Sequence, residues 1–307
     1  MERSTIGIHE VELYSKSSGL SDKLDPVRSP EGSVVKGENV VLDLSGSWSR
    51  RDGTTLVSST ACHSLFSCGK YGLGVFAGNL SLIESDLSVT TLIAVGNSTV
   101  SYVLSFDGRY NVVYFVNGVI AGKVVNKSYS AWSASSYVGV ASTRSKVIER
   151  LSSVPAGQLL EIWHGRMFIA KGDLLYFSNE RDFSAFEAVS VIPFDGYITM
   201  LAGLDGGLYV GTENGVFFLP GEDISIVGIR KVYSSGSTKG VAKKFTATET
   251  ASQAQFEMVA FTVVGEGFCV GDGSGNVTNH SFPFTDFSTA LAGASYITDD
   301  KHFIVSL

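Results

Sequence analysis

A short apolar, aromatic-tinged strand that runs into a Gly/Asn/Asp turn and out into a second strand recurs six times along this chain. The clearest copies are Gly207-Leu-Tyr-Val-Gly-Thr-Glu-Asn-Gly-Val-Phe-Phe-Leu219 and Arg166-Met-Phe-Ile-Ala-Lys-Gly-Asp-Leu-Leu-Tyr-Phe-Ser178. Weaker copies run from Leu73 to Ile83, Val112 to Val124, Gly267 to Val277 and Tyr296 to Leu307. An isolated hairpin cannot bury its own apolar side chains, so such units must pack on one another. With Val75, Tyr114, Met167, Tyr209, Cys269 and Phe303 as equivalent points, the spacing runs from 34 to 60 residues. That range brackets the roughly 40–50 residues of a four-stranded propeller blade. The expectation is an all-β fold, a β-propeller of about six to seven blades built from antiparallel hairpin repeats. If the uneven spacing is real, the alternative is a stacked-sheet β-sandwich.

Composition agrees with many short strands. Of 307 residues, 44% are apolar and only 17% charged, enough for a large packed core, and 34 glycines against 6 prolines supply turns without a linker-like character. The formal charge of −7 argues against a surface built to grip phosphates, since such surfaces concentrate Lys and Arg. No run of 18 uncharged apolar residues is present, so no membrane-spanning segment is expected. The polar start Met1-Glu-Arg-Ser-Thr5 lacks the pattern of a signal peptide, which leads us to expect a product made and kept in a cytoplasm. In that setting the sequons at Asn79, Asn97, Asn126, Asn276 and Asn279 carry no weight. Cys62, Cys68 and Cys269 cannot all pair, and Cys-x5-Cys is neither a zinc nor a redox spacing, so all three read as free thiols, mostly buried.

Residues 1–39 are polar, carry Pro26 and Pro30, and read as an extended N-terminal arm; residues 40–307 read as a single propeller domain. Strands are expected at 56–60, 64–66, 73–76, 80–83, 91–95, 102–106, 112–116 and 119–124, with clean hairpins again over 159–232. Insertions are expected near 126–158, with a short helical turn at 145–151, and near 234–255, where a polar Thr/Ala/Gln stretch accounts for the widest spacing. Val40–Leu44 is the natural partner for His302–Leu307 in closing the ring. The absence of a long amphipathic helical period disfavours alternating βαβ units.

No local motif carries chemistry. His9, His63, His164, His280 and His302 are scattered without metal-ligand spacing, and Walker A, Gly-x-Ser-x-Gly and His-Glu-x-x-His patterns are missing. Asp272-Gly-Ser-Gly-Asn276 resembles the start of a calcium loop, but the remaining ligands do not follow, and a hairpin turn is the better reading. Asp107, Glu161, Asp195 and Asp205 sit near strand ends, where two carboxylates could face each other across an axis as in propeller glycosidases; acids at turns are also the default of any β protein. Tyr129, Trp132 and Tyr137 could stack on sugars, although packing or subunit contact is the commoner use of such rings. Lys239, Lys243 and Lys244 form the one basic cluster, too small for nucleic acid, and Arg50-Arg51-Asp52-Gly53 reads as an anchor for a turn or a neighbouring subunit rather than for a phosphate. No catalytic, cofactor-binding or metal residue is assigned, and no cofactor is expected.

The order of several pieces resembles virion proteins of tailed bacteriophages, in particular β-propeller tail hub, nozzle or stabilisation proteins. The pieces are Gly46-Ser-Trp-Ser-Arg-Arg-Asp-Gly53, His63-Ser-Leu-Phe66, Val112-Val-Tyr-Phe-Val-Asn-Gly118, and Gly165-Arg-Met-Phe-Ile-Ala170 leading through Leu175-Tyr-Phe-Ser-Asn179 to Arg181-Asp-Phe183. The resemblance implies a non-enzymatic structural component of a phage tail, made in the host cytoplasm and residing in the virion. It would form a homo-oligomeric ring at the tail axis, with six-fold symmetry as one arrangement, and take part in genome retention or delivery. Its partners would be other tail or connector subunits, with passing contact to genomic DNA but no specific binding. A carbohydrate-binding receptor-recognition propeller is the alternative, and a propeller glycoside hydrolase the third reading.

Overall fold

A computed structural model describes residues 19–20, 25, 28–29, 33–34, 40–42, 47–50, 56, 58–135, 153–221, 224, 228–248, 255–280, 291–297 and 303–306. The chain divides into two units. The first comprises Met1–Thr55 with Ser281–Asp286, the second Leu56–His280 with Phe287–Leu307.

In the first unit β1 (Gly19–Leu20) pairs in parallel with β2 (Ser33–Val34), and β3 (Val40–Leu42) pairs antiparallel with β4 (Trp48–Arg50). The expected Asp52-Gly53 turn, Arg51 and Leu44 lie outside the described residues.

The second unit is a series of four-stranded antiparallel sheets, each a meander in chain order. Blade 1 holds β5 (Cys62–Ser67), β6 (Gly72–Phe76), β7 (Asn79–Ile83) and β8 (Val89–Ala94); blade 2 holds β9 (Ser101–Phe106), β10 (Asn111–Val116), β11 (Ala121–Val125) and β12 (Ser128–Ala131). Blade 3 follows with β13 (Leu159–Trp163), β14 (Arg166–Lys171), β15 (Leu174–Asn179) and β16 (Asp182–Pro193), and blade 4 with β17 (Ile198–Leu204), β18 (Gly207–Thr212), β19 (Gly215–Pro220) and β20 (Arg230–Tyr233). Blade 5 is β21 (Lys243–Thr248), β22 (Gln255–Val263), β23 (Gly267–Asp272) and β24 (Val277–Asn279); a hairpin of β25 (Ala294–Ile297) and β26 (Phe303–Ser306) comes last. The fold is a β-propeller, all-β as the hairpin repeats require.

The repeats are apolar on both faces because blades 2, 3 and 4 each share one core with the blade before and another with the blade after. Alternation along a strand sends successive side chains to opposite faces. On β14, Met167 and Ile169 join Val116 and Trp132 of blade 2, while Phe168 and Ala170 join Ile198, Leu208 and Val210 of blade 4. On β18, Leu208 and Val210 face blade 3, while Tyr209 faces Val259, Phe261 and Cys269 of blade 5. Each fully buried side chain of this size contributes about 1.5–3 kcal/mol.

Strand readings that differ from the structure have local causes. Ser58–Thr60, expected to be extended, lies outside any strand, because the Thr60 amide donates to Ser58 Oγ at 3.1 Å, a side-chain turn that competes with a ladder. The 234–255 stretch is not simply an insertion, since β21 crosses it in register with β22, from Lys243↔Ala260 to Thr248↔Gln255. A strand hydrogen-bonded to a sheet along one edge only can be this polar because its partner supplies the apolar face. The 126–158 stretch likewise contains β12, while 136–152 lies outside the described residues. Val40–Leu42 and Phe303–Ser306 each pair with a neighbour in sequence, Trp48–Arg50 and Ala294–Ile297.

Candidate functional site

Among the described residues the first strands of blades 2 to 5 line the inner ring, since β9, β13 and β17 pack in succession, and β21 packs on β17 and on β25. On this ring stands Glu161, in the middle of β13 opposite Phe168, with only 9% of its surface exposed. Its Oε1 accepts from Lys244 Nζ at 2.9 Å and from the Ile162 amide at 3.2 Å. Lys244 belongs to blade 5 and its side chain is 44% exposed. Burial raises the Glu161 carboxyl above the ordinary glutamate range; attraction to Lys244 and hydrogen bonds from Lys244 and the Ile162 and Gly203 amides offset this only in part.

The other three acids singled out from sequence do not join it. Asp107 closes the β9–β10 turn, its Oδ1 accepting from the Tyr110 amide at 2.7 Å and the Arg109 amide at 2.9 Å, and these bonds hold its carboxyl below the usual aspartate range. Asp195 accepts from Asn214 Nδ2 at 3.1 Å through its carboxylate and from Thr212 Oγ1 at 2.9 Å through its carbonyl, tying the start of β17 to the β18–β19 turn. Asp205 engages through its backbone: its carbonyl lies 3.1 Å from His164 Nε2, and its amide donates to Glu257 Oε2 at 3.1 Å. Glu161 is therefore faced by a lysine, and the acid pair a glycosidase needs is not formed by these four residues.

The remaining candidates have structural duties, as does a further tryptophan, Trp163. Trp132 and Trp163 are 5% and 4% exposed; the first donates to Ser184 Oγ at 3.2 Å and the second to the Leu204 carbonyl at 2.8 Å, pinning blade 2 to blade 3 and blade 3 to blade 4. Their rings are closed to a sugar. Tyr129 is half-buried against Phe115, and Tyr137 lies outside the described residues. In the Asp272–Asn276 loop the Asp272 carboxylate accepts from the Ser274 amide and from both the amide and side chain of Asn276, at 2.8–2.9 Å, so its oxygens hold the turn. Among the described residues no group of three His, Cys, Asp or Glu side chains could hold a metal ion.

His63 Nδ1 lies 2.9 Å from Ser64 Oγ, His280 packs near the Phe268 ring, and His9 and His302 lie outside the described residues. Cys68 and Cys269 are buried and Cys62 is exposed, all three as free thiols. Burial pushes Cys68 up to about 11 and Cys269 up to about 12, which keeps both protonated and unreactive at neutral pH. Lys239 joins a backbone bridge to Leu291 and Gly293, and Arg50 is exposed on β4.

Sequence reasoning missed the role of Lys244. The signal available was a Lys-Lys pair inside a strand otherwise made of Phe, Thr and Ala, where a cation needs a partner or an exit to water.

No family model matches the sequence, and no curated protein matches it. Similar solved structures include BBS1N in complex with ARL6DN, at 11% identity over 87% of this chain and 85% of that one, with a TM-score of 0.47. Hsv2p of Kluyveromyces lactis is 7% identical over 80% of this chain and 85% of that one, with a TM-score of 0.44. AztD of Citrobacter koseri is 12% identical over 71% of each chain, with a TM-score of 0.37. These are likenesses of fold. No helix among the described residues is long and apolar enough to cross a membrane.

Proposed function

We propose that this chain is a non-enzymatic structural subunit of a bacteriophage tail, a hub, nozzle or adaptor whose propeller docks neighbouring subunits in a ring about the tail axis. The observation that carries the non-enzymatic part is the engagement of Glu161: the buried acid of the inner ring is held by Lys244, and Asp107 and Asp195 spend their carboxylates on turns. The tail setting rests on the order of sequence pieces from Gly46 to Phe183. An overall charge of −7 suits a conduit to which DNA must not adhere.

Surface for subunit contact is available. Leu104 and Phe106 stand two apart on one face of β9 and are 41% and 64% exposed, and Val119 and Val189 are 76% and 80% exposed. Identical subunits around an axis make heterologous contacts that close into a ring. Mass spectrometry of purified virions, combined with imaging of a particle carrying a tagged copy, tests the proposal. The polypeptide is expected in stoichiometric amount at the tail; virions that lack it would refute the assignment. A monomer at every concentration in light scattering would refute the ring alone.

A further inference from the structure

Blade 4 lies between blades 3 and 5 in the series, and most cross-links named above join neighbours. Trp163 and His164 reach from blade 3 to blade 4, and Asp205 and Tyr209 from blade 4 to blade 5. The bond from Lys244 to Glu161 skips a blade, running from β21 to β13 along the inner ring at 2.9 Å. Its two ends differ in kind, because Glu161 is buried on its strand while the Lys244 side chain is nearly half exposed.

Among the described residues the surroundings leave the carboxylate no second cation. The elements packed on β13 are β9, β10, β14 and β17. Strands β9, β10 and β17 carry no charged residue, only the titratable Tyr102 and Tyr114. Strand β14 carries Arg166, paired opposite Trp163, and Lys171 at its far end, whereas Glu161 sits opposite Phe168. From blade 5 come Lys243 and Lys244, whose side chains leave β21 on opposite faces, and Lys244 makes the contact. His164, Asp205 and Glu257 meet around the β13–β14 and β17–β18 turns.

We propose that Glu161 and Lys244 form a proton-operated latch across the inner ring: ionised Glu161 ties β21 to β13, and proton uptake by Glu161 frees Lys244 and loosens β21. Burial favours the protonated acid, so its pKa in the folded chain lies above the unfolded value. A raised carboxyl contributes stability that is present below the unfolded value and lost as pH rises through the folded value. The closed latch at neutral pH is therefore held against the preference of the buried acid. Mild acid opens it without unfolding the chain. Removing Lys244 alone would leave the acid uncompensated.

The test is a carboxyl-carbon NMR titration of the intact chain, read alongside amide-exchange protection of β21 as a function of pH in wild type, Glu161→Gln and Lys244→Gln. Glu161 is expected to titrate above the exposed glutamates. Over that same interval, protection of Phe245–Thr248 should fall about tenfold per pH unit, up to a plateau, in wild type. In Glu161→Gln it should stay at the low plateau at every pH. Lys244→Gln keeps the proposal testable if the first variant does not fold, and it too should show a flat β21 profile. Titration of Glu161 at or below the exposed glutamates would overturn the latch, and so would a folded variant with wild-type protection at neutral pH.

Discussion

Tyr209 shows how a single residue serves two purposes in this molecule. Its ring is fully buried between blades 4 and 5, and its hydroxyl donates to the Asp272 carbonyl at 2.7 Å, with the Asn276 carbonyl at 3.2 Å. Tyr209→Phe keeps the ring and removes the hydroxyl's bond to the loop, whose two carbonyls retain backbone donors in the Gly275 and Asp272 amides, so a loss of about 0.5–1.5 kcal/mol is expected in urea unfolding. Asp272 supplies the other half of that junction. Burial would raise its carboxyl, but hydrogen bonds from Asn276, Ser274 and Gly275 outweigh burial and hold it below the aspartate norm. A depressed carboxyl contributes stability above the unfolded value, near 3.9, that is lost as pH falls through the lower folded value. Asp272→Asn should therefore flatten the acid limb of the stability–pH curve, and a variant with an unchanged acid limb would contradict this account. Leu87 carries strain of another kind: its φ is 66°, in the left-handed region, with a side chain 54% exposed. Relief of that strain outweighs the entropy cost of glycine. Leu87→Gly is expected to gain roughly 0.5–1 kcal/mol by thermal denaturation.

At the scale of elements, hairpins are the unit that sequence shows best. Their turns carry positive φ in pairs, as at Ala77-Gly78, Asn126-Lys127 and His164-Gly165, which matches the twist of antiparallel strands. Four of the six recurring hairpins are the second and third strands of blades 1 to 4. The fifth, from Gly267 to Val277, is the third and fourth strand of blade 5, because the second, β22, is not introduced by a legible turn. Part of the 60-residue gap before Cys269 is a shift of one strand in what was being compared, since the second strand of blade 5, the counterpart of β18, is β22, which holds Phe261. Junctions between blades depend on close backbone approach as well. A Cβ on Gly206, in the β17–β18 turn, would run into the Gly273 carbonyl of blade 5. Gly206→Ala should therefore cost about 1–3 kcal/mol and loosen the β23–β24 hairpin, visible as faster amide exchange there.

Across the whole second unit, stability is collective because the cores lie between blades. Phe168 is wholly buried and packs toward blade 4 while belonging to blade 3. Phe168→Ala is expected to cost about 3–5 kcal/mol and to lower a single unfolding transition seen equally by near-ultraviolet circular dichroism and amide exchange in blades 2 to 5. Loss of blade 3 signals alone would show that the blades fold independently.

By itself the sequence determined the class of the fold. Gly-, Asn- and Asp-rich turns at short intervals and strands apolar on both faces leave antiparallel sheets stacked on one another as the physical solution, and local backbone chemistry is written in local residues. It also determined that Asp272–Asn276 is a turn, since the carboxylate finds its donors within four residues. Tertiary structure alone decided which acid meets which base. Glu161 and Lys244 are 83 residues apart, and neither one's neighbours in sequence mark the other. The inner strand β21 was hidden for the same reason: a strand's partner in its sheet, rather than its own residues, provides the apolar face that makes it a strand. Pairing at long range is set by how blades pack, and packing depends on every core at once.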